Sequence, residues 1–250
     1  MMQVKLWIIL LFLSNYALAG TIQIAVAANV AYAIEDLKNA FEKLHPNTKV
    51  QVILGSSGKL TAQVKYGAPY MLFMSADMKY PEVLYNEGFA QNKPLLYAQG
   101  ALALLSVKER NYCAEMFVLK SSDVKKIAIA NPKTAPYGKA AKEALKNARL
   151  YKKLKQKLVY GESVSQTLAY VRSAVDMGIV AKSALFSPQM LEYKEAIHWA
   201  EVNEELYSPI SQGIVILKEG VGNEEVKAFY DFILSAQAKS IFKRYGYKVP

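Results

Sequence analysis

The sequence contains only one cysteine and two histidines among its 250 residues. Cys113, as the only thiol, excludes an internal disulfide and a cluster of thiolates, and we expect it to be a buried, unreactive side chain. His45 and His198 show neither metal-ligand spacing nor an evident nucleophile partner. The motifs H-E-x-x-H and G-x-S-x-G are also missing. These scarcities argue against a zinc enzyme and against a serine hydrolase.

Long apolar runs are missing as well, except near the start of the chain. Lys5 precedes the run LWIILLFL, and Ala17-Leu18-Ala19 matches the A-x-A pattern of a signal-peptide cleavage site. The run is too short to cross a membrane. We therefore expect residues 1–19 to be a cleaved signal peptide and the mature chain to be soluble and exported. Because Gly20 is not a lipidatable cysteine, we expect no lipid anchor.

Acidic residues are in the minority. The chain has 31 Lys and Arg against 21 Asp and Glu, which gives a net charge of +10. Such a surplus attracts anions over long range, although it also serves simple solubility. Apart from a cluster at 152–157 the lysines are scattered, and no nucleic-acid recognition motif accompanies them. Nucleic acid is therefore not an expected partner.

Apolar patterns of strand type and helix type alternate along the chain, which predicts an α/β fold with largely parallel sheets. The predicted strands are 21–27, 49–54, 70–76, 101–107, 126–131, 157–161, 178–182, 196–202 and 211–217, and the predicted helices are 30–44, 58–66, 81–86, 138–147, 163–176 and 224–245. Ligands of such sheets bind at the loops that lead from strands into helices. Two such loops lie in the first hundred residues and two in the middle. We therefore expect two lobes across a cleft, formed by residues 20–99 with 212–250 and by residues 100–211.

Four of these loops could hold a ligand: residues 28–29, 55–58, 135–138 and 161–164. The start of a helix has unpaired N–H groups and about half a positive charge, so it attracts anions without a lysine. The second loop, Gly55-Ser56-Ser57-Gly58, adds two hydroxyl groups between glycines that permit close approach of the backbone. This loop lacks the spacing of a Walker P-loop.

The loop residues also have purely structural interpretations. Asn29 and Ser57 belong to the types preferred at helix N-caps. Ser163 and Gln166 match a capping box, which would explain both without a ligand. Tyr137 suits a half-buried packing position.

Glu162 is the only acid within the four loops. A carboxylate near a helix N-terminus is favourable by itself, but this one could also serve as a general base. A hydrolase that uses Glu162 is therefore the alternative from a different functional class.

Several stretches resemble the signatures of the ModA family, the periplasmic molybdate-binding proteins of ABC importers. They are AVAANVAYAIEDL (25–37), GSSGKLTAQVKYGAP with YMLFMSAD (55–77), NPKTAPYGKAAKEAL (131–145), GESVSQTLAYV (161–171) and VKAFYDFILSAQAKSIFKRYGY (226–247). The resemblance extends through nearly the whole mature chain. It implies two α/β lobes joined by a hinge, with an oxyanion held between them by neutral donors.

The resemblance also implies the ligand contacts. They are Asn29, Ser57, Tyr137 and Val164, with Ala28, Ser56 and Gly58 beside them. Two positions depart from the family pattern: Asn29 stands where a serine is usual, and Ala181 stands where a tyrosine often donates its phenol. Tyr137 occupies a position that is often a small residue. Either its hydroxyl replaces the missing donor, or its ring only covers the site.

The implied ligand is molybdate, with tungstate as its near equivalent in size. Both ions are fully ionised near neutral pH and only accept hydrogen bonds, whereas phosphate keeps a proton that needs an acceptor. Sulfate also only accepts, so it has to be rejected by size. The resemblance implies a monomer that passes the anion to an inner-membrane ABC permease, without catalysis, cofactor or free metal cation. A binding protein for another oxyanion, such as sulfate or tungstate alone, is the second alternative.

Overall fold

The computed structural model describes residues 20–250, so the predicted signal peptide lies outside the described residues. The described chain forms two five-stranded sheets of mixed direction, each packed against helices. This architecture confirms the predicted two-lobed α/β fold.

The first sheet combines strands from both ends of the described chain. They are β1 (Gly20–Ala27), β2 (Thr48–Gly55), β3 (Leu72–Met74), β4 (Leu95–Gly100) and β10 (Ile210–Ile216), in the order β2-β1-β3-β10-β4. β1 pairs in parallel with β2 and β3, while β10 is antiparallel to β3 and β4. β1 and β2 therefore end at the same edge of the sheet.

The second sheet is formed by the middle of the chain. Its strands are β5 (Leu102–Leu105), β6 (Ile127–Ala130), β7 (Leu158–Gly161), β8 (Met177–Ala181) and β9 (Trp199–Glu201), in the order β7-β6-β8-β5-β9. β6 pairs in parallel with β7 and β8, and β5 is antiparallel to β8 and β9. The carboxyl ends of β6 and β7 thus form one edge, as those of β1 and β2 do in the first sheet.

The chain crosses between the sheets at Gly100 and Ala101, and again between β9 and β10. β4 could not be predicted from the sequence, because the segment LLYAQGALALL is one nearly continuous apolar stretch that gives no sign of a division. The structure divides it between two sheets. The lobe boundaries proposed from the sequence stay a prediction.

Helices cover both sheets. They are α1 (Ile34–Leu44), α2 (Ser57–Lys65), α3 (Lys79–Asn86), α4 (Pro136–Asn147), α5 (Tyr151–Leu154), α6 (Val164–Ser173), α7 (Glu224–Leu234) and α8 (Ala236–Arg244). The predicted single C-terminal helix was wrong, because Ser235 has an extended backbone and divides it in two. The Ser235 side chain accepts a hydrogen bond from the N–H of Ala238 and so caps α8.

Each sheet has its own apolar core. In the first lobe, Phe41, Phe229 and Phe242 are fully buried, and the rings of Phe41 and Phe229 meet edge to face at 5.0 Å. In the second lobe, Leu102 and Ile127 belong to a separate cluster of buried side chains. Two cores on two sheets leave the edges between them free to form a cleft.

Cys113 is exposed, so the prediction of a buried thiol was wrong. The residue lies in a surface turn where its N–H donates to the Asn111 side chain at 2.9 Å. Its neighbours Tyr112 and Met116 take the buried positions instead. Among the helices of residues 20–250, none has the length and apolarity needed to cross a membrane.

Gly138 brings α4 into close contact with β6, and this contact gives a testable prediction. A side chain at Gly138 would overlap the backbone of Ala130 and Asn131. We expect Gly138→Ala to lower the free energy of unfolding by about 1–3 kcal/mol, as overpacking does, although alanine is ordinarily the better helix former. Urea denaturation measures the change. The exposed neighbour Lys139 provides the control, since Lys139→Ala should stay within about 0.5 kcal/mol of wild type. Equal or greater stability of Gly138→Ala would contradict the packing argument.

Candidate functional site

The four loops singled out in the sequence converge on one small cavity between the two sheets. Its lining consists of Ala27, Ala28, Asn29, Gly55, Ser56, Ser57, Ala76, Ala135, Pro136, Tyr137 and Val164. Both edges described above contribute, because β1 and β2 end on one side and the helices after β6 and β7 begin on the other. The lining contains polar groups but no charged side chain.

The first turns of α2, α4 and α6 contribute residues to the lining of this cavity. α2 and α4 have no side-chain cap, because the Ser56 hydroxyl accepts no hydrogen bond from α2 and Ala135 has no side-chain acceptor. Unpaired N–H groups at a helix start carry partial positive charge and favour an anion. α6 differs, since Ser163 accepts from the N–H of Gln166 at 3.3 Å. The Gln166 side chain in turn accepts from the N–H of Glu162 at 2.6 Å, so the predicted capping interaction of Ser163 is present and Val164 remains beside the cavity.

Ser57 lies fully buried at the first position of α2. Its Oγ accepts a hydrogen bond from the N–H of Ala76 at 3.0 Å. Within the described part of the chain, the Ser57 proton has no acceptor. Ser57 does not cap its helix, and its hydroxyl can donate into the cavity.

Tyr137 is the second residue of α4 and is also buried. Its Oη accepts from Gln212 Nε2 at 3.3 Å, and its hydroxyl lies against Gly100, where a side chain would overlap it. Burial raises the pKa of Tyr137 well above its ordinary value. The hydroxyl therefore stays protonated and keeps a proton to donate.

Asn29 follows the end of β1 and is 1% exposed. Its Nδ2 donates to Gln212 Oε1 at 2.9 Å and to Tyr247 Oη at 3.1 Å, rather than capping a helix. Among the described residues, no group donates to Asn29 Oδ1. A buried acceptor without a partner is rare in folded proteins and calls for an explanation.

Glu162 does not line the cavity. Its carboxylate accepts a hydrogen bond from the Ser56 hydroxyl at 2.7 Å, across the cleft between the lobes. Two further contacts join the same two sets of loops: the N–H of Gly58 donates to the Thr134 carbonyl at 2.8 Å, and the Ser165 hydroxyl donates to the Ala28 carbonyl at 2.7 Å. The N–H of Gly58 is therefore occupied, and Gly58 lies outside the cavity lining.

Ala181 lies at the end of β8, where it pairs with Leu102 of β5. It is buried but does not line the cavity. Gln212, on β10 of the first sheet, lies next to the Tyr137 hydroxyl instead. Within residues 20–250, no group of three His, Cys, Asp or Glu side chains is arranged to hold a metal ion.

The sequence analysis missed the buried polar residues behind Asn29. Gln212 and Tyr247 contact its amide directly, and Tyr97 donates to Gln212 Oε1 at 2.8 Å. The signal was weak but present, because Gln212 is a polar residue inside the apolar strand segment SQGIVIL. A glutamine at such a position needs buried partners.

Comparison with known proteins places the chain in a family. The family of bacterial extracellular solute-binding proteins matches residues 22–248. The molybdate-binding protein ModA of Azotobacter vinelandii is 36% identical over 92% of this chain and 91% of its own length. The putative ABC transporter substrate-binding lipoprotein YvgL of Bacillus subtilis is 32% identical over 91% of this chain and 86% of its own length.

Solved structures agree with the sequence matches. The periplasmic molybdate-binding protein of Azotobacter vinelandii superposes with a TM-score of 0.84 at 33% identity, and the match covers 92% of this chain and 99% of that protein. These matches confirm the motif resemblance drawn from the sequence. The chain therefore belongs to the family of bacterial extracellular solute-binding proteins and, within it, to the ModA family.

Proposed function

We propose that this protein binds molybdate, and also tungstate, in the periplasm and delivers the anion to an inner-membrane ABC permease. The observation that carries the proposal is the cavity itself, which gathers neutral hydrogen-bond donors and helix N-termini without a charged side chain in its lining. The names of the Azotobacter and Bacillus relatives support the ligand and the transporter, respectively. Export would follow cleavage of residues 1–19, which precede the described chain.

The proposed contacts come from both lobes. Asn29 and Ser57 belong to the first lobe, and Tyr137 and the backbone N–H of Val164 belong to the second. Ala28 and Ser56 complete the lining beside them. Gly58 contributes indirectly, because its N–H holds the Thr134 carbonyl of the opposite lobe.

Selectivity follows from the kinds of groups in the cavity. Molybdate and tungstate only accept hydrogen bonds, so they suit hydroxyl and backbone donors. Hydrogen phosphate needs an acceptor for its proton, and no carboxylate belongs to the cavity lining; that of Glu162 accepts from the Ser56 hydroxyl instead. Sulfate is smaller and would lose contact with donors on one side of a cavity shaped for the larger ion.

Two alternatives make different predictions. A binding protein for sulfate would use the same neutral donors and differ only in the size of the cavity. A hydrolase would need Glu162 as a general base within reach of a substrate, but the carboxylate accepts from Ser56 and does not line the cavity. The geometry therefore favours binding over catalysis.

Titration calorimetry of ligand-free mature protein tests the proposal directly. We expect molybdate and tungstate to bind with similar affinity, sulfate to bind more weakly and phosphate to give no heat. Tighter binding of sulfate than of molybdate would show that the proposed ligand is wrong. Turnover of a phosphate or sulfate ester by the wild-type protein would overturn the proposed class.

Ser57→Ala should weaken molybdate binding. The substitution removes one donor while the facing oxygen of the anion stays buried, which costs about 1–3 kcal/mol, or about ten- to a hundredfold in affinity. Calorimetry at one pH measures the change. Ser173→Ala is a suitable control, because the exposed Ser173 hydroxyl only bonds the Ala169 carbonyl of its own helix. If both variants bind like wild type, Ser57 does not contact the anion.

Tyr137→Phe separates the two roles left open for this residue. If the hydroxyl donates to the anion, its removal should lower molybdate affinity by about ten- to a hundredfold; if only the ring covers the site, affinity should not change. Tyr207 offers a matched control, since its buried hydroxyl accepts from the N–H of Leu102 at 3.1 Å. Tyr207→Phe should reduce stability and leave affinity unchanged. Wild-type affinity of Tyr137→Phe would remove the hydroxyl from the contact set.

A further inference from the structure

Asn29, which lines the cavity, is paired with a second buried amide behind it. Asn29 and Gln212 face each other, with Asn29 Nδ2 donating to Gln212 Oε1 at 2.9 Å. Gln212 is fully buried on β10, and its Nε2 donates to Tyr137 Oη at 3.3 Å. One side chain thus connects both residues that the sequence singled out as unusual members of the contact set.

The orientation of Asn29 conflicts with its proposed role as a donor. Its Nδ2 turns to Gln212 and Tyr247, so the carbonyl oxygen is the amide atom left for the cavity that Asn29 lines. That oxygen has no donor within the described residues. An acceptor at this place would repel an anion that only accepts hydrogen bonds.

We propose that Gln212 is a positioning residue for the oxyanion site: when an acceptor-only anion binds, the amides of Asn29 and Gln212 rotate together by about 180°. Asn29 Nδ2 then faces the anion, and Gln212 Nε2 donates to Asn29 Oδ1. This inference rests on the proposed function and explains how the unpartnered Oδ1 of the present structure becomes satisfied.

The two rotations depend on each other. If Asn29 turned alone, its carbonyl oxygen would meet the carbonyl oxygen of Gln212 at the present separation of 2.9 Å. When both turn, Gln212 Nε2 lies between Asn29 Oδ1 and Tyr97 Oη, which is 2.8 Å from the Gln212 amide. Tyr97 keeps an acceptor for its own proton, because the Ser75 carbonyl lies 3.1 Å away.

The remaining hydroxyls can adapt to the rotated pair. Tyr247 Oη lies 3.1 Å from the rotating amide, so it can donate there while Ser183 donates to the Asn29 backbone carbonyl at 3.1 Å. Gln212 Oε1 then faces Tyr137 Oη, and the Tyr137 proton lies between this oxygen and the anion in a three-centre hydrogen bond.

A double-mutant cycle in molybdate calorimetry tests the coupling. Gln212→Met keeps the approximate length of the side chain but cannot support the rotated Asn29. In Asn29→Ser, the serine hydroxyl can donate to the anion without a supporting hydrogen bond from Gln212. We expect Gln212→Met to lower molybdate affinity by about tenfold or more in the Asn29 background and by less than about threefold in the Asn29→Ser background.

The outcomes separate this inference from the proposed function. An equal loss in both backgrounds would assign Gln212 a merely structural role, and a gain in affinity of Gln212→Met would show that Asn29 binds unrotated; either result overturns the inference alone. If wild-type protein binds no molybdate, the proposed function fails, and this inference fails with it.

The NMR signals of the side-chain amides give a second measurement, which does not depend on a change in affinity. In ¹⁵N-labelled wild-type protein, the NH₂ signals of Asn29 and Gln212, assigned with the two single variants, should shift together as molybdate is added. Phosphate should leave both in place. Movement of the Asn29 signal without that of Gln212 would overturn the coupled rotation, and equal shifts with phosphate would overturn its link to acceptor-only anions.

Discussion

Buried hydrogen-bond donors that the chain leaves without acceptors are the constraint on which this site depends. The starts of α2 and α4 have no side-chain caps, and the protons of Ser57 and Tyr137 have no acceptor within the described residues. Burying such donors is unfavourable unless something accepts from them. A tetrahedral oxyanion would satisfy several of them at once, which supports the proposal that this cavity is the binding site.

The closed contact between the lobes strengthens this effect. The bonds from Ser56 to Glu162, from Gly58 to Thr134 and from Ser165 to Ala28 all cross the cleft around the cavity. Groups buried between the lobes lie in a medium of low dielectric, where hydrogen bonds are stronger than in water. Because these bonds join the two sets of loops around the cavity, we expect an anion to enter only when they separate.

Much of the candidate site was predictable because the relevant features are local. A strand followed by small residues and an amphipathic helix predicts where a helix N-terminus will lie, and the loops around Asn29, Ser57, Tyr137 and Val164 were found in this way. The division of LLYAQGALALL between two sheets was not predictable, because its apolar pattern is continuous. The exposure of Cys113 was also missed, since residue type describes an average preference, whereas its position is set by a surface turn.

The sequence by itself determined the α/β class, the four loops and their neutral chemistry, because these depend on periodicity and residue type along the chain. Only the tertiary structure decided which groups meet. It paired Glu162 with Ser56 across the cleft, and it placed Gln212 between Asn29 and Tyr137 although the three residues are far apart in the chain. The orientation of a side-chain amide depends on partners from several elements, and no local pattern specifies those partners.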